Sequence, residues 1–211
     1  MERLDVKDDS ALYGPPADHF VEVEVPELPF LMIDGQGAPE SPQYGSAVEA
    51  LYSLSYGLKF SAQVRMKVDY VVAPLEGLWW TDPPAAFATT PRDAWHWTMM
   101  IRQPDWVTAA EVDAAIERTR HKVPAVVDLR FTKWREGRCV QILHRGPYAD
   151  EAPTIERLHR DYLPEHGLVP NGHHHEIYLS GPRRAAPATW RTVLRQPVAP
   201  AASAAAGVSG A

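Results

Sequence analysis

The sequence predicts an α+β domain made of two pseudo-symmetric strand-helix-strand-strand modules that face each other across a central ligand cleft. Three observations predict it. A short phrase occurs twice, as Trp97-Thr-Met-Met-Ile-Arg102-Gln103-Pro104 and, 93 residues later, as Trp190-Arg-Thr-Val-Leu-Arg195-Gln196-Pro197. Each copy follows a strand-like segment that runs into a proline-containing turn, Leu75 to Pro83 in the first half and His175 to Pro182 in the second. The order of apolar patterns around the two copies is also the same, as expected of a duplicated supersecondary unit.

The elements follow in order. The first 18 residues are polar, carry Gly14-Pro15-Pro16 and are expected to form a flexible arm ahead of a single domain over 19–197. Module one is expected over about 28–105. Its strand Phe30 to Ile33 ends at Gly35-Gln-Gly37, and Val48, Leu51, Tyr52 and Ser55 then recur at helical spacing as far as Gly57. Two strands follow, Tyr70 to Trp80 and Trp95 to Arg102. A linking helix is expected over about 108–123, because Thr108-Ala-Ala-Glu111 has the capping-box pattern. Val112, Ala115, Ile116 and Thr119 form its stripe, and Pro124 stops it. Module two, over about 129–197, opens with a strand from Arg138 to His144. Its helix starts at Asp150-Glu-Ala-Pro153 and buries Ile155, Leu158 and Tyr162, with Pro153 suited to the first turn. The strands His174 to Leu179 and Trp190 to Arg195 complete it. Residues 198–211 are alanine-rich and of low complexity, the pattern of a disordered tail. A helix covers one face of a small sheet, so the uncovered faces must meet each other or a ligand.

Composition narrows the function. The 211 residues carry a net charge of −6 and no Lys/Arg cluster beyond Arg183-Arg184, so no phosphate-tracking surface is indicated and no direct nucleic-acid partner is expected. One cysteine, Cys139, excludes an internal disulfide framework and fits a reducing compartment. The N-terminus is charged and no run approaches a membrane span, so a cytoplasmic, soluble protein without a membrane partner is expected.

The chemistry concentrates on one strand. Alternation sends His174, Glu176, Tyr178 and Ser180 to one face and His175, Ile177 and Leu179 to the other. Ile177 and Leu179 are expected to pack under the helices, leaving Glu176 and Tyr178 on the uncovered side about 7 Å apart. A carboxylate partly removed from water beside a hydroxyl is a candidate general base and hydrogen-bond donor. An exposed Glu and Tyr on an edge strand is the competing reading. Aligning the halves on Pro83 and Pro182 places Trp79 opposite Tyr178 and Gly77 opposite Glu176, so the acid exists in one half only. Glu76 lies one register off, and a single-residue bulge would bring it into the same cleft. Seven tryptophans, among them Trp79, Trp80, Trp95, Trp97 and Trp134, offer a flat apolar lining, with ordinary core packing the alternative for any one of them.

Other motifs are weaker. Adjacent residues of His173-His174-His175 diverge on a strand, so at most two can share an ion, and no HExxH or CxxC supplies the rest; no metal is expected. Cys139 sits in a strand-like run with nothing to lower its pKa and reads as structural. Gly35-Gln-Gly37 lacks the third glycine of a dinucleotide fingerprint and reads as a turn. No GxSxG or Walker-type loop is present, and no cofactor is implied.

The segments Tyr56-Gly-Leu-Lys-Phe60, Asp69 to Trp80, Trp97 to Asp105, Gly146-Pro-Tyr148 and His174-His-Glu-Ile-Tyr-Leu-Ser180 together resemble the GyrI-like small-molecule-binding proteins, from about Phe30 to Pro197. The resemblance implies tandem strand-helix-strand-strand (SHS2) modules with a ligand cleft between them. Its Leu-Trp-Trp and His-His-Glu-Ile-Tyr-Leu motifs resemble the branch of cyclopropanoid cyclopropyl hydrolases, which detoxify yatakemycin- and duocarmycin-type DNA alkylators. The sequence shows no helix-turn-helix ahead of the domain, so a regulator role is not expected. What the resemblance implies is that Glu176 is the pocket acid, with Tyr178, Trp79, Glu76 and Trp134 lining the site. The candidate catalytic pair is thus Glu176 and Tyr178, and the candidate substrate-binding residues are Trp79, Trp80, Glu76, Trp97, Trp134, Tyr56 and His174.

The implied substrate is a planar polycyclic molecule whose spiro-cyclopropane is conjugated to a dienone, so attack on the ring CH₂ restores an aromatic phenol. Glu176, raised by a hydrophobic cleft, would activate water. Tyr178 or His174 would bind the oxygen where charge develops, while tryptophans stack on the ligand. The alternatives are a binding or sequestering module that returns its ligand unaltered, and, third, a gyrase-inhibiting interaction protein, against which the interspersed charges speak.

Overall fold

The computed structural model describes residues 4–82, 90–180 and 186–201. Pro83, Pro182, Arg183, Arg184 and residues 202–211 of the expected tail lie outside them.

Two 16-residue strands frame the domain, β1 (Val21–Gln36) and β4 (Arg130–Arg145). They pair antiparallel from Val21 opposite Gln141 to Met32 opposite Arg130. β1 starts by alternating Val21, Val23 and Val25 with exposed Glu22 and Glu24, then is buried on both faces from Leu28 to Ile33. The inward set changes parity between Val25 and Leu28, where Pro26 and Glu27 are both exposed, so one strand serves both halves. The remaining elements are α1 (Ser10–Tyr13), α2 (Pro42–Met66), β2 (Leu75–Trp80), β3 (His96–Arg102), α3 (Ala109–Thr119), α4 (Ala152–Arg157), α5 (Leu163–Glu165), β5 (Leu168–Pro170), β6 (His174–Ser180) and β7 (Arg191–Pro200). A π-helical turn, Leu158–Tyr162, joins α4 to α5.

Strands pair in the order β4-β1-β3-β2-β6-β7-β5, and β4 also pairs with β7, so six of them close into a ring. Each half contributes strand, helix, strand, strand, and the duplicated phrase forms the third strand of each, β3 and β7. α2 to α5 lie outside the ring, whereas α1 sends Leu12 and Tyr13 into it. α2 and α3 cover Leu31, Trp97, Met99 and Ile101, while Leu158 and Leu163 cover Val140, Ile142 and Leu194. Inside, all six strands contribute to one cluster, with Phe30, Leu78, Met100, Cys139, Ile177 and Val193 among its members. Among the described residues no helix is long and apolar enough to cross a membrane.

Several expectations need correcting. The strand expected at 30–33 is β1 in full, and that at 138–144 begins at Arg130, because the early part of β4 is too polar to show an apolar pattern. Gly57 does not end α2. Nothing lies near its missing Cβ, and Leu58 and Ala62 continue the buried stripe to Met66. The strand expected from Tyr70 begins at Leu75; Tyr70 instead forms an isolated bridge with Leu4. The expected N-terminal arm is ordered from Leu4, with Leu12 and Tyr13 each 4% exposed inside the ring. Residues 198–200, expected to belong to the tail, are part of β7, which runs to Pro200 and pairs with β5, a strand too short to be legible in the sequence.

Candidate functional site

Strand β6 is the floor of the site. His174, Glu176 and Tyr178 share one face and His175 and Ile177 the other, but the helices cover the Glu176 face, the reverse of the expectation. Tyr178 packs against the cluster under α2, and Glu176 lies opposite Leu194, which packs with Leu158 and Leu163. Ile177 points into the ring with Leu78 and Met100. Alternation divides a strand into faces, whereas ring closure decides which face is interior, and that depends on pairings far apart in sequence.

Tyr178 donates from its hydroxyl to Glu176 Oε2 at 2.8 Å, and the Trp79 indole Nε1 donates to the same hydroxyl at 2.9 Å. His174 Nε2 stands 3.4 Å from Glu176 Oε1, and the Glu176 side chain is 15% exposed. Gly77, directly opposite Glu176, makes room for this arrangement. A Cβ there would fall 2.9 Å from Trp79 Nε1 and 3.0 Å from Met99 Sδ. Aromatic rings form the rim: Tyr44 of α2 stacks on Trp79 at 6.0 Å, Tyr148 meets Tyr178 edge-on at 5.5 Å, and Trp190 lies 4.8 Å from Tyr148.

A second acid, Glu151, completes the site and escaped sequence reading. It is 4% exposed, and one of its carboxylate oxygens has no hydrogen-bond partner. Burial, and then the negative charge of Glu176, push its pKa up to about 9, against a smaller opposing effect of the Thr192 hydroxyl. Burial and the same acids hold the surrounding phenols protonated: Tyr148 is raised to about 12, and Tyr44 and Tyr178 are raised as well. Burial, assisted by His174, lowers His159. At neutral pH the recess therefore offers a protonated carboxyl and several phenol donors around Glu176. The only hint of Glu151 in sequence was its place at the start of the second helix.

Other expected site residues lie elsewhere. No bulge interrupts β2, so Glu76 faces into the ring, 1% exposed, bonded to Tyr13 and His175. Trp80 is on that inner side too, stacked on His173 at 4.2 Å. Trp134 packs there against Phe30 and His175. Trp97 is fully buried under α2, and Gly35 opposite it is obligatory, because a Cβ would come within 2.1 Å of the indole. Tyr56 is exposed on α2 between Tyr52 and Phe60. Cys139 is buried, which pushes its thiol up. Among the described residues no group of three His, Cys, Asp or Glu can hold a metal ion.

Two cavities lie away from Glu176. One of about 510 Å³ is lined by Asp34, Gln43, Trp97, Asp128 and Arg130, and one of about 210 Å³ by Leu78, Trp134, Glu136 and His173. Neither lining includes Glu176, whose nearest aromatic partners are Tyr178, hydrogen-bonded to it, and Trp79, hydrogen-bonded to Tyr178.

The chain is similar to an uncharacterized conserved protein from Listeria innocua (38% identity, TM-score 0.85, 93% of this chain and 100% of the other). A hydrolase from Listeria innocua is similar at 36% identity, with TM-score 0.80 over 93% and 100% of the two chains. The EcmrR C-terminal domain, at 13% identity and TM-score 0.54 over 86% and 98%, shares the fold. No curated protein matches the sequence significantly. The model of the GyrI-like small molecule binding domain matches residues 20–199, and the chain belongs to that family.

Proposed function

We propose that this protein is a hydrolase that adds water to the spiro-cyclopropane of planar, DNA-alkylating natural products and so detoxifies them. The observation that carries the reading is the pair of acids set among aromatic rings: Glu176, accepting from the Tyr178 hydroxyl, and Glu151, kept neutral by burial and by its neighbour's charge. A carboxyl kept protonated next to a second acid supplies a proton donor beside a candidate base. Glu176 takes the proton of the attacking water as oxygen bonds to the cyclopropane CH₂. The C–C bond to the spiro carbon breaks, and its electrons flow into the dienone to make a phenolate. Glu151 or Tyr178 donates the proton that leaves a neutral phenol. Trp79, Tyr44 and Tyr148 would hold the flat ring system so that water meets the strained carbon. The similarity to a Listeria innocua protein described as a hydrolase supports catalysis.

The second reading is binding without turnover, favoured by the family's small-molecule-binding character, with Glu176 as counter-charge for a cation. Mass spectrometry after incubation with a duocarmycin-type compound separates the two: gain of one water supports hydrolysis, and unaltered ligand sinks it. In Glu176→Gln, turnover should drop by about 10²–10⁴-fold while ligand affinity stays within a few-fold. Unchanged turnover in that variant would remove Glu176 as the base.

A further inference from the structure

Inside the ring, on the opposite face of β6 from Glu176, lies a chain of buried charges that the proposed chemistry does not use. His175 is 0% exposed and donates from Nε2 to Glu76 Oε2 at 3.0 Å and from Nδ1 to Glu136 Oε1 at 3.0 Å. Both ring nitrogens face carboxylates, so the doubly protonated, cationic imidazole serves both at once. Arg195 Nη1 donates to Glu136 at 3.2 Å, and its other nitrogens donate to the Leu12 carbonyl at 2.6 Å and to Gln141 at 3.0 Å. Tyr13 donates to Glu76 at 3.1 Å, and Gln141 to the Ala11 carbonyl at 2.6 Å.

We infer that His175 is a positioning residue for the Glu176 site, a strut across the inside of the ring that fixes β6 and makes the site's geometry depend on pH. The inference rests on reading Glu176 as the reacting base and extends it to the regulation of that site. β4 is not a neighbour of β6 in the ring, so the bond from His175 to Glu136 reaches past β7 and ties three strands together, while Glu76 adds β2. Because neighbouring side chains on a strand point oppositely, anchoring His175 inward aims Glu176 outward. A slip of one residue would break both carboxylate bonds and reverse the faces.

The groups facing His175 are Glu76 from β2, Glu136 from β4 and, through them, Arg195 from β7 and Tyr13 from α1. Trp134 lies edge-on at 6.1 Å, and Arg102 of β3 lies beside Tyr13. Burial alone would lower His175, but the two carboxylates outweigh it and leave it raised to about 8. A folded value above the unfolded one means that the strut is complete below about pH 6.5 and is lost as pH rises through about 8. Neutral imidazole has one N–H and serves one carboxylate, leaving the other buried without that partner.

Hydrogen exchange of the β6 amides in the full chain between pH 6.5 and 9.5, corrected for the intrinsic rate, tests this without any substrate. Protection over 174–180 should fall as pH passes about 8 while α2 protection holds. In His175→Gln the step near pH 8 should vanish, and kcat for a duocarmycin-type substrate should drop about a hundred-fold with a smaller change in KM. Glu136→Gln, which keeps the side-chain shape, should move the step to lower pH. β6 protection that ignores pH in the unmodified protein overturns the inference whether or not the substrate turns over. A β6 step near pH 8 without any turnover supports the strut and refutes the hydrolase reading.

Discussion

Glu151 has a pKa of about 9, which makes it a donor at neutral pH and gives a sharp pH expectation. Turnover that needs its proton should decline as pH rises through about 9, and Glu151→Gln, which cannot ionise, should lose that limb of the profile along with much of kcat. The same variant should be more stable at pH 8 than the parent, because a buried acid raised above its unfolded value of 4.5 destabilises the fold as pH climbs above that value. Thermal melts at pH 5 and pH 8 check the sign: the gain should appear only at the higher pH. That Glu176 and Tyr178 share one face of β6 was legible from alternation, whereas which face the helices cover was not. Glu151, Tyr44, Tyr148 and Trp190 were not, since they reach the recess from an α2 turn and from loops whose placement is set by tertiary pairing. Glu76 was misassigned by a single position, which on a pleated strand is the difference between the recess and the inside of the ring.

The capping box on α3 was written in the sequence and is present, with Thr108 and Glu111 each accepting from the other's backbone N–H. Thr108→Ala should cost about 1 kcal/mol, read as a lower midpoint in urea with an unchanged slope. The close approach of β1 and β3 at Gly35 was invisible, because the sequence reads it as a turn glycine. Gly35→Ala forces a methyl into the Trp97 ring and should cost about 1–3 kcal/mol or more, or prevent folding; wild-type stability in that variant would contradict the packing. Helix and strand identities were largely readable from apolar spacing, but their lengths were not. α2 runs on past Gly57 because packing, rather than propensity, sustains it. β4 runs back to Arg130 because its polar half is held by pairing with β1, including an ion pair from Arg130 to Asp34 at 2.6 Å.

The tandem plan was legible in the duplicated phrase, and the two copies do occupy equivalent third strands. Arg102 and Arg195 both lie near the inner cluster, and Gln103 and Gln196 are both buried. The closure of the sheet was not legible, since it arises from β1 with β4 and β2 with β6, pairings between halves that no local pattern records. It also explains why the N-terminal segment is ordered: Leu12 and Tyr13 fill one end of the ring. A variant lacking residues 1–16 should therefore melt at lower temperature and bind an apolar dye that the full chain excludes, whereas an unchanged melt would return the segment to the status of an arm. β7 is the strand that seals the ring, pairing with β4, β6 and β5 at once. During synthesis, β4, β5 and β6 must wait for β7, the last of the strands in chain order, before their neighbours are complete. The growing polypeptide thus exposes unpaired β4 and β6 edges until β7 emerges, and folding should be slow and dependent on protection from association until then.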